Sequence, residues 1–141
     1  MTKVVLIGPV PPWRSGIADQ TVRLARAMAR LGEPPLVLTF SRMYPRALYP
    51  GEADRGEGAF PADLEVAALL DGFDPLSFRR AAEVAAQRGA GLVVAAFWTS
   101  VFAPHLALFL FPFSSFLRPS DPTLLLFPLS SFLFPFSSFL F

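Results

Sequence analysis

The chain contains no cysteine, which excludes a disulfide framework, a thiolate zinc site, an iron–sulfur cluster and a cysteine nucleophile. Histidine is almost as scarce. His105 is the only one, so multi-histidine metal sites are excluded and any Ser-His-Asp arrangement would have to use it. Excess charge of either sign is missing too, because 12 Lys+Arg face 11 Asp+Glu and leave a net charge of +1. A nucleic-acid surface needs clustered, unopposed cations to displace counterions from phosphate, so no nucleic-acid partner is expected. The apolar run near the amino terminus is too short for a signal-peptide core and has no small-residue cleavage site after it. A cytoplasmic location is therefore expected. The 141 residues amount to one small domain.

Charge is also absent locally, with no Asp, Glu, Lys or Arg from Gly89 to Leu117 and only Arg118 and Asp121 beyond. Residues 109–141 comprise 10 Phe, 8 Leu, 7 Ser and 5 Pro, with Arg118, Asp121 and Thr123 the sole exceptions. This is low complexity. The segment repeats itself as Phe111-Pro112-Phe113-Ser114-Ser115-Phe116-Leu117, Phe127-Pro128-Leu129-Ser130-Ser131-Phe132-Leu133 and Phe134-Pro135-Phe136-Ser137-Ser138-Phe139-Leu140. Residues 124–141 reach the length of a membrane span, but they contain Pro128, Pro135 and four serines, with no Lys or Arg flank. Two adjacent seven-residue units cannot supply the stacking neighbours of a solenoid. The four residue types are drawn largely from codons that begin with two pyrimidines, so a repetitive DNA tract read out of frame would yield this alphabet. Residues 109–141 are thus expected to form a poorly packed tail behind a head spanning 1–108.

The head alternates strand and helix signals. Lys3-Val4-Val5-Leu6-Ile7-Gly8 reads as a strand buried on both faces, and the loop Pro9-Val10-Pro11-Pro12-Trp13-Arg14-Ser15-Gly16 follows it. Ile17, Val22, Ala25, Met28 and Leu31 then mark a helix near 17–31, with Gly32 as its stop. A second strand is expected at 36–40, a long loop from Ser41 to Asp63, and a weaker strand near 64–69. Asp74-Pro75 reads as an N-cap and first helical proline of a helix ending at Gly89. Residues 91–97 form a third clear strand, and another helix begins within 102–108. The grammar is that of an α/β fold, a partial Rossmann-like parallel sheet with right-handed crossovers.

In such sheets ligands gather at the carboxyl ends of the strands, which singles out the loops after Gly8 and Phe97. Ser15 and Gly16 immediately precede a helix whose free N–H groups and dipole can receive an anion, and Arg14 adds a cation. Equally, Ser15 or Gly16 can simply cap the helix. No P-loop is present, and Gly8 and Gly16 are too far apart for a G-x-G-x-x-G fingerprint. His105 lies just beyond the third strand, on the first turn of the next helix, where solvent or backbone can satisfy it. Trp98, an aromatic at a strand end, either belongs to the core or offers a stacking face. Arg79 and Arg80 read as a solvated helix face.

Beyond those local signals, Phe40-Ser41-Arg42-Met43-Tyr44-Pro45, Leu48-Tyr49-Pro50-Gly51, Leu70-Asp71 with Asp74-Pro75-Leu76-Ser77, and Phe97-Trp98-Thr99-Ser100 with Ala103-Pro104-His105-Leu106 follow one another in order across residues 3–108. Together with the first strand, loop and helix, these blocks resemble the N-terminal domain of retaining, GT-B-type glycosyltransferases of family 4. Many members carry two glycines where this chain has Ser15-Gly16. The resemblance implies transfer of a sugar from a nucleotide-sugar to an acceptor such as a sugar or a lipid-linked sugar, with no cofactor or metal. It implies an N-terminal domain that holds the acceptor, with Arg14, Ser15 and Gly16 as acceptor- or phosphate-loop candidates and Trp98, Thr99 and His105 in the acceptor cleft. The donor-binding domain and its acidic pair have no counterpart in the sequence, so no catalytic residue is assigned and this chain alone is expected to be inactive. The alternative is a small interaction protein that uses its hydrophobic tail, with peripheral association at the inner face of a membrane.

Overall fold

The computed structural model describes residues 3–43, 56, 58–97, 103–116 and 124–128. Its elements are β1 (Lys3–Ile7), α1 (Gly16–Arg30), β2 (Leu36–Arg42), β3 (Glu65–Asp71), α2 (Pro75–Gln87), β4 (Ala90–Phe97), α3 (Ala103–Phe116) and β5 (Leu124–Pro128). The strands form one sheet in the order β3-β2-β1-β4-β5. Every pairing is parallel, with Leu6 level with Val37 on one side and Val94 on the other. This is the α/β, partially Rossmann-like architecture expected from the alternating strand and helix signals.

Local chemistry accounts for the helix boundaries. Ser15 is extended, and its Oγ accepts from the Ala18 N–H at 3.1 Å, which starts α1. At the other end Gly32 adopts a φ of 87°, the Glu33 N–H donates to the Met28 carbonyl, and the Gly32 N–H donates to that of Ala29. This pair of bonds satisfies carbonyls that the helix leaves open, and only glycine takes the left-handed bend without a Cβ penalty. Asp74 caps α2 through the Leu76 N–H, and Pro75 occupies the first helical position, where no N–H is needed.

Alternation along the strands divides the apolar side chains between two faces. Val5, Ile7, Leu36, Leu38, Val93 and Ala95 face α2 and α3, which contribute Phe78, Ala81, Ala82, Ala85, Leu106, Phe109 and Phe113. Leu6 and Val37 face α1, which contributes Val22 and Ala25, with Phe60 and Leu64 packed alongside. The right-handed rule explains the split, since the chain runs one way along the sheet from β1 to β2 and the other way from β3 through β4 to β5. Gly8 allows α1 to approach the sheet. A Cβ there would sit 2.7 Å from Thr21 Oγ1 and 3.2 Å from the Ala96 Cβ.

Two outcomes refine the sequence reading. The weak strand signal near 64–69 is a full seven-residue edge strand, because β2 supplies the partner that its own pattern does not reveal. The composition break at 108 falls inside α3, and Phe109 and Phe113 beyond it are fully buried with their rings stacked 5.6 Å apart. The expectation of a poorly packed tail therefore does not hold for residues 109–113, and residues 124–128 add a further backbone ladder to β4. Phenylalanines three and four positions apart give a helix an apolar face whatever the origin of the sequence. Residues 117–123 and 129–141 lie outside the described residues.

Candidate functional site

β1 lies between β2 and β4, and the chain leaves β1 toward α1 on one face but leaves β4 toward α3 on the other. The carboxyl ends of β1 and β4 therefore flank the point where the winding reverses, the usual ligand crevice of an open parallel sheet. The loop of residues 9–15 occupies one side of it.

Apolar burial and hydrogen bonds hold this loop in place. Val10 is fully buried, and the buried Trp13 indole donates from Nε1 to the Phe40 carbonyl at 2.8 Å. The Trp13 N–H donates to the Val10 carbonyl, and the Gly56 N–H donates to the Pro12 carbonyl. The Pro11-Pro12 peptide bond is cis. Burial and hydrogen bonds of the kind made by Val10 and Trp13 let a loop meet a ligand without paying to order itself on binding.

The exposed residues Arg14, Ser15 and Gly16 follow directly. The Arg14 side chain passes Gly56, its Nε lying 3.2 Å from where a Cβ on that glycine would be. Ser15 spends its hydroxyl oxygen on the Ala18 N–H, so the capping role foreseen for it is the one it performs. Gly16 is the first helical residue, and a Cβ on it would meet no described atom within 4 Å. Helix geometry leaves the N–H groups of Gly16 and Ile17 without intrahelical acceptors. They can receive an anion, although Asp19 already places a carboxylate on the same turn, opposing a second negative charge.

Trp98 and Thr99, with Ser100, lie outside the described residues. His105 is half-buried on the first turn of α3, and its ring meets Phe78 of α2 edge-on at 5.2 Å. Phe78 is itself core, so this contact directs the imidazole toward the α2–α3 layer. The loop candidates are thus adjacent to one another at the start of α1, whereas His105 packs on the helix layer covering the opposite face.

The rim also carries an arrangement that the sequence reading did not join. Arg42 ends β2 and Asp71 ends β3, and the guanidinium binds the carboxylate through Nε at 3.1 Å and Nη2 at 2.7 Å. The same guanidinium lies 4.7 Å above the Phe73 ring, while Asp71 also accepts from the Phe73 N–H. The Arg42 hydrogen bonds hold the Asp71 carboxyl below the usual carboxylate range, with burial opposing them. Opposite charges at the ends of two strands were the available signal, but only the β2–β3 pairing makes them neighbours. Arg26 of α1 grips Asp63 in the same bidentate way and lowers its pKa. Just inside this rim Thr39 is fully buried, and its hydroxyl has no hydrogen-bond partner among the described residues.

Among the described residues, no cluster of three or more His, Cys, Asp or Glu could hold a metal ion, and no helix is long and apolar enough to cross a membrane. What the rim offers chemically is a fixed loop, the exposed Arg14 guanidinium and a helix start, which suits recognition of a polar or anionic group. No family model, no curated protein and no solved structure matches the chain.

Proposed function

We propose that these 141 residues are the acceptor-side, Rossmann-like part of a retaining GT-B glycosyltransferase of family 4. A fold of this kind hosts many activities, so function must be read from the site. One observation carries it. The described parts of two of the four sequence blocks behind the resemblance meet at one rim, with Phe40-Ser41-Arg42 closing β2, Leu70-Asp71 closing β3, and Asp74-Pro75-Leu76-Ser77 opening α2. Resemblance confined to core positions would speak only of packing. Resemblance gathered at the carboxyl ends of the strands supports a shared ligand.

In this reading Arg14 and the N–H groups at Gly16 meet a phosphate or hydroxyl of the acceptor side, and Ser15 keeps the helix start in position. Trp98 and Thr99 contribute to the acceptor cleft from the segment that follows β4. No residue of this chain breaks the glycosidic bond to the nucleotide, a task that falls to the donor-binding domain of such enzymes. The 141-residue polypeptide accordingly neither binds a nucleotide-sugar appreciably nor transfers its sugar. Calorimetry with uridine, guanosine and adenosine diphosphate sugars tests this, and micromolar binding by the purified chain would refute it. Genomic DNA downstream of the coding segment is the companion test. A continuation encoding a nucleotide-sugar-binding domain in another frame supports the reading, and its absence favours a protein that works through its own hydrophobic segments.

A further inference from the structure

We draw no further inference here: the strongest candidate, the outward stripe of α3 that carries Pro104, Ala107, Leu108 and Phe111, is an apolar face and nothing in the structure shows what covers it.

Discussion

Trp13 and Phe40, 27 residues apart, are joined by a 2.8 Å hydrogen bond from the indole N–H to a backbone carbonyl at the end of β2. The bond fastens the loop after β1 to the neighbouring strand at the rim of the sheet. Trp13→Phe keeps most of the apolar contact and deletes the donor. Leaving a buried carbonyl short of a partner costs about 1–3 kcal/mol. Urea denaturation should show that loss, and hydrogen exchange should rise in residues 9–16. A variant as stable as the parent would mean that the loop is held by its apolar contacts alone.

Gly8 and Gly16 should respond in opposite ways to the same substitution. Gly8→Ala forces a methyl against Thr21 Oγ1 and Ala96, an overpacking that costs roughly 1–3 kcal/mol. Gly16→Ala adds a methyl in open space at a helical position, so stability should stay constant or rise by up to about 1 kcal/mol. On the proposed reading, the equivalent of Gly16→Val in an active glycosyltransferase of that family should cut transfer far more than it lowers Tm, because the helix start would approach a ligand. Normal turnover there would leave the position with a purely structural role.

Removing the Ser15 hydroxyl separates capping from binding. Ser15→Ala should lower stability by about 1 kcal/mol through loss of the cap, and Ser15→Asp should restore it. Thermal melts of the three proteins decide the matter. Unchanged stability in Ser15→Ala would show that α1 starts without this contact.

Phe113 tests whether the low-complexity sequence is part of the fold. Its ring is 1 % exposed in the core between α2 and α3, so Phe113→Ala should destabilise by about 3–5 kcal/mol. Phe111, 81 % exposed on the same helix, is the internal control, and Phe111→Ala should change little. Equal small effects in the two variants would place residues 109–116 outside the cooperative core.

Acid should weaken the fold through Asp63 and Asp71, whose carboxyls are held low mainly by the hydrogen bonds from Arg26 and Arg42. A carboxyl with a lower pKa in the folded than in the unfolded state contributes stability that is complete above its unfolded pKa. The contribution is lost as pH falls through the folded value. The urea midpoint should therefore be steady from about pH 7 to 5 and fall below about pH 4. The double variant Asp63→Asn, Asp71→Asn should be less stable at pH 7 and show a smaller acid drop. An acid drop as large as the parent's would assign that sensitivity to other carboxylates.

The sequence by itself determined the elements whose signals are local. Ser15, Asp74-Pro75, Gly32 and Gly89 marked the helix ends because caps and left-handed bends depend on a few neighbouring residues. Unbroken apolar runs at 4–7 and 92–97 likewise announced strands buried on both faces, and with them the parallel class. The loop after Gly8 was legible as a candidate site for the same reason, whereas Trp98 and Thr99 remain sequence candidates outside the described residues. Only the tertiary structure decided what depends on register and facing. It made the faint pattern at 65–71 a strand, brought Arg42 to Asp71 and Trp13 to Phe40, turned His105 toward Phe78, and carried α3 across the break in composition. Each of these contacts joins distant positions through burial. Composition is blind to such pairings because the free energy that selects them arises only when two faces meet.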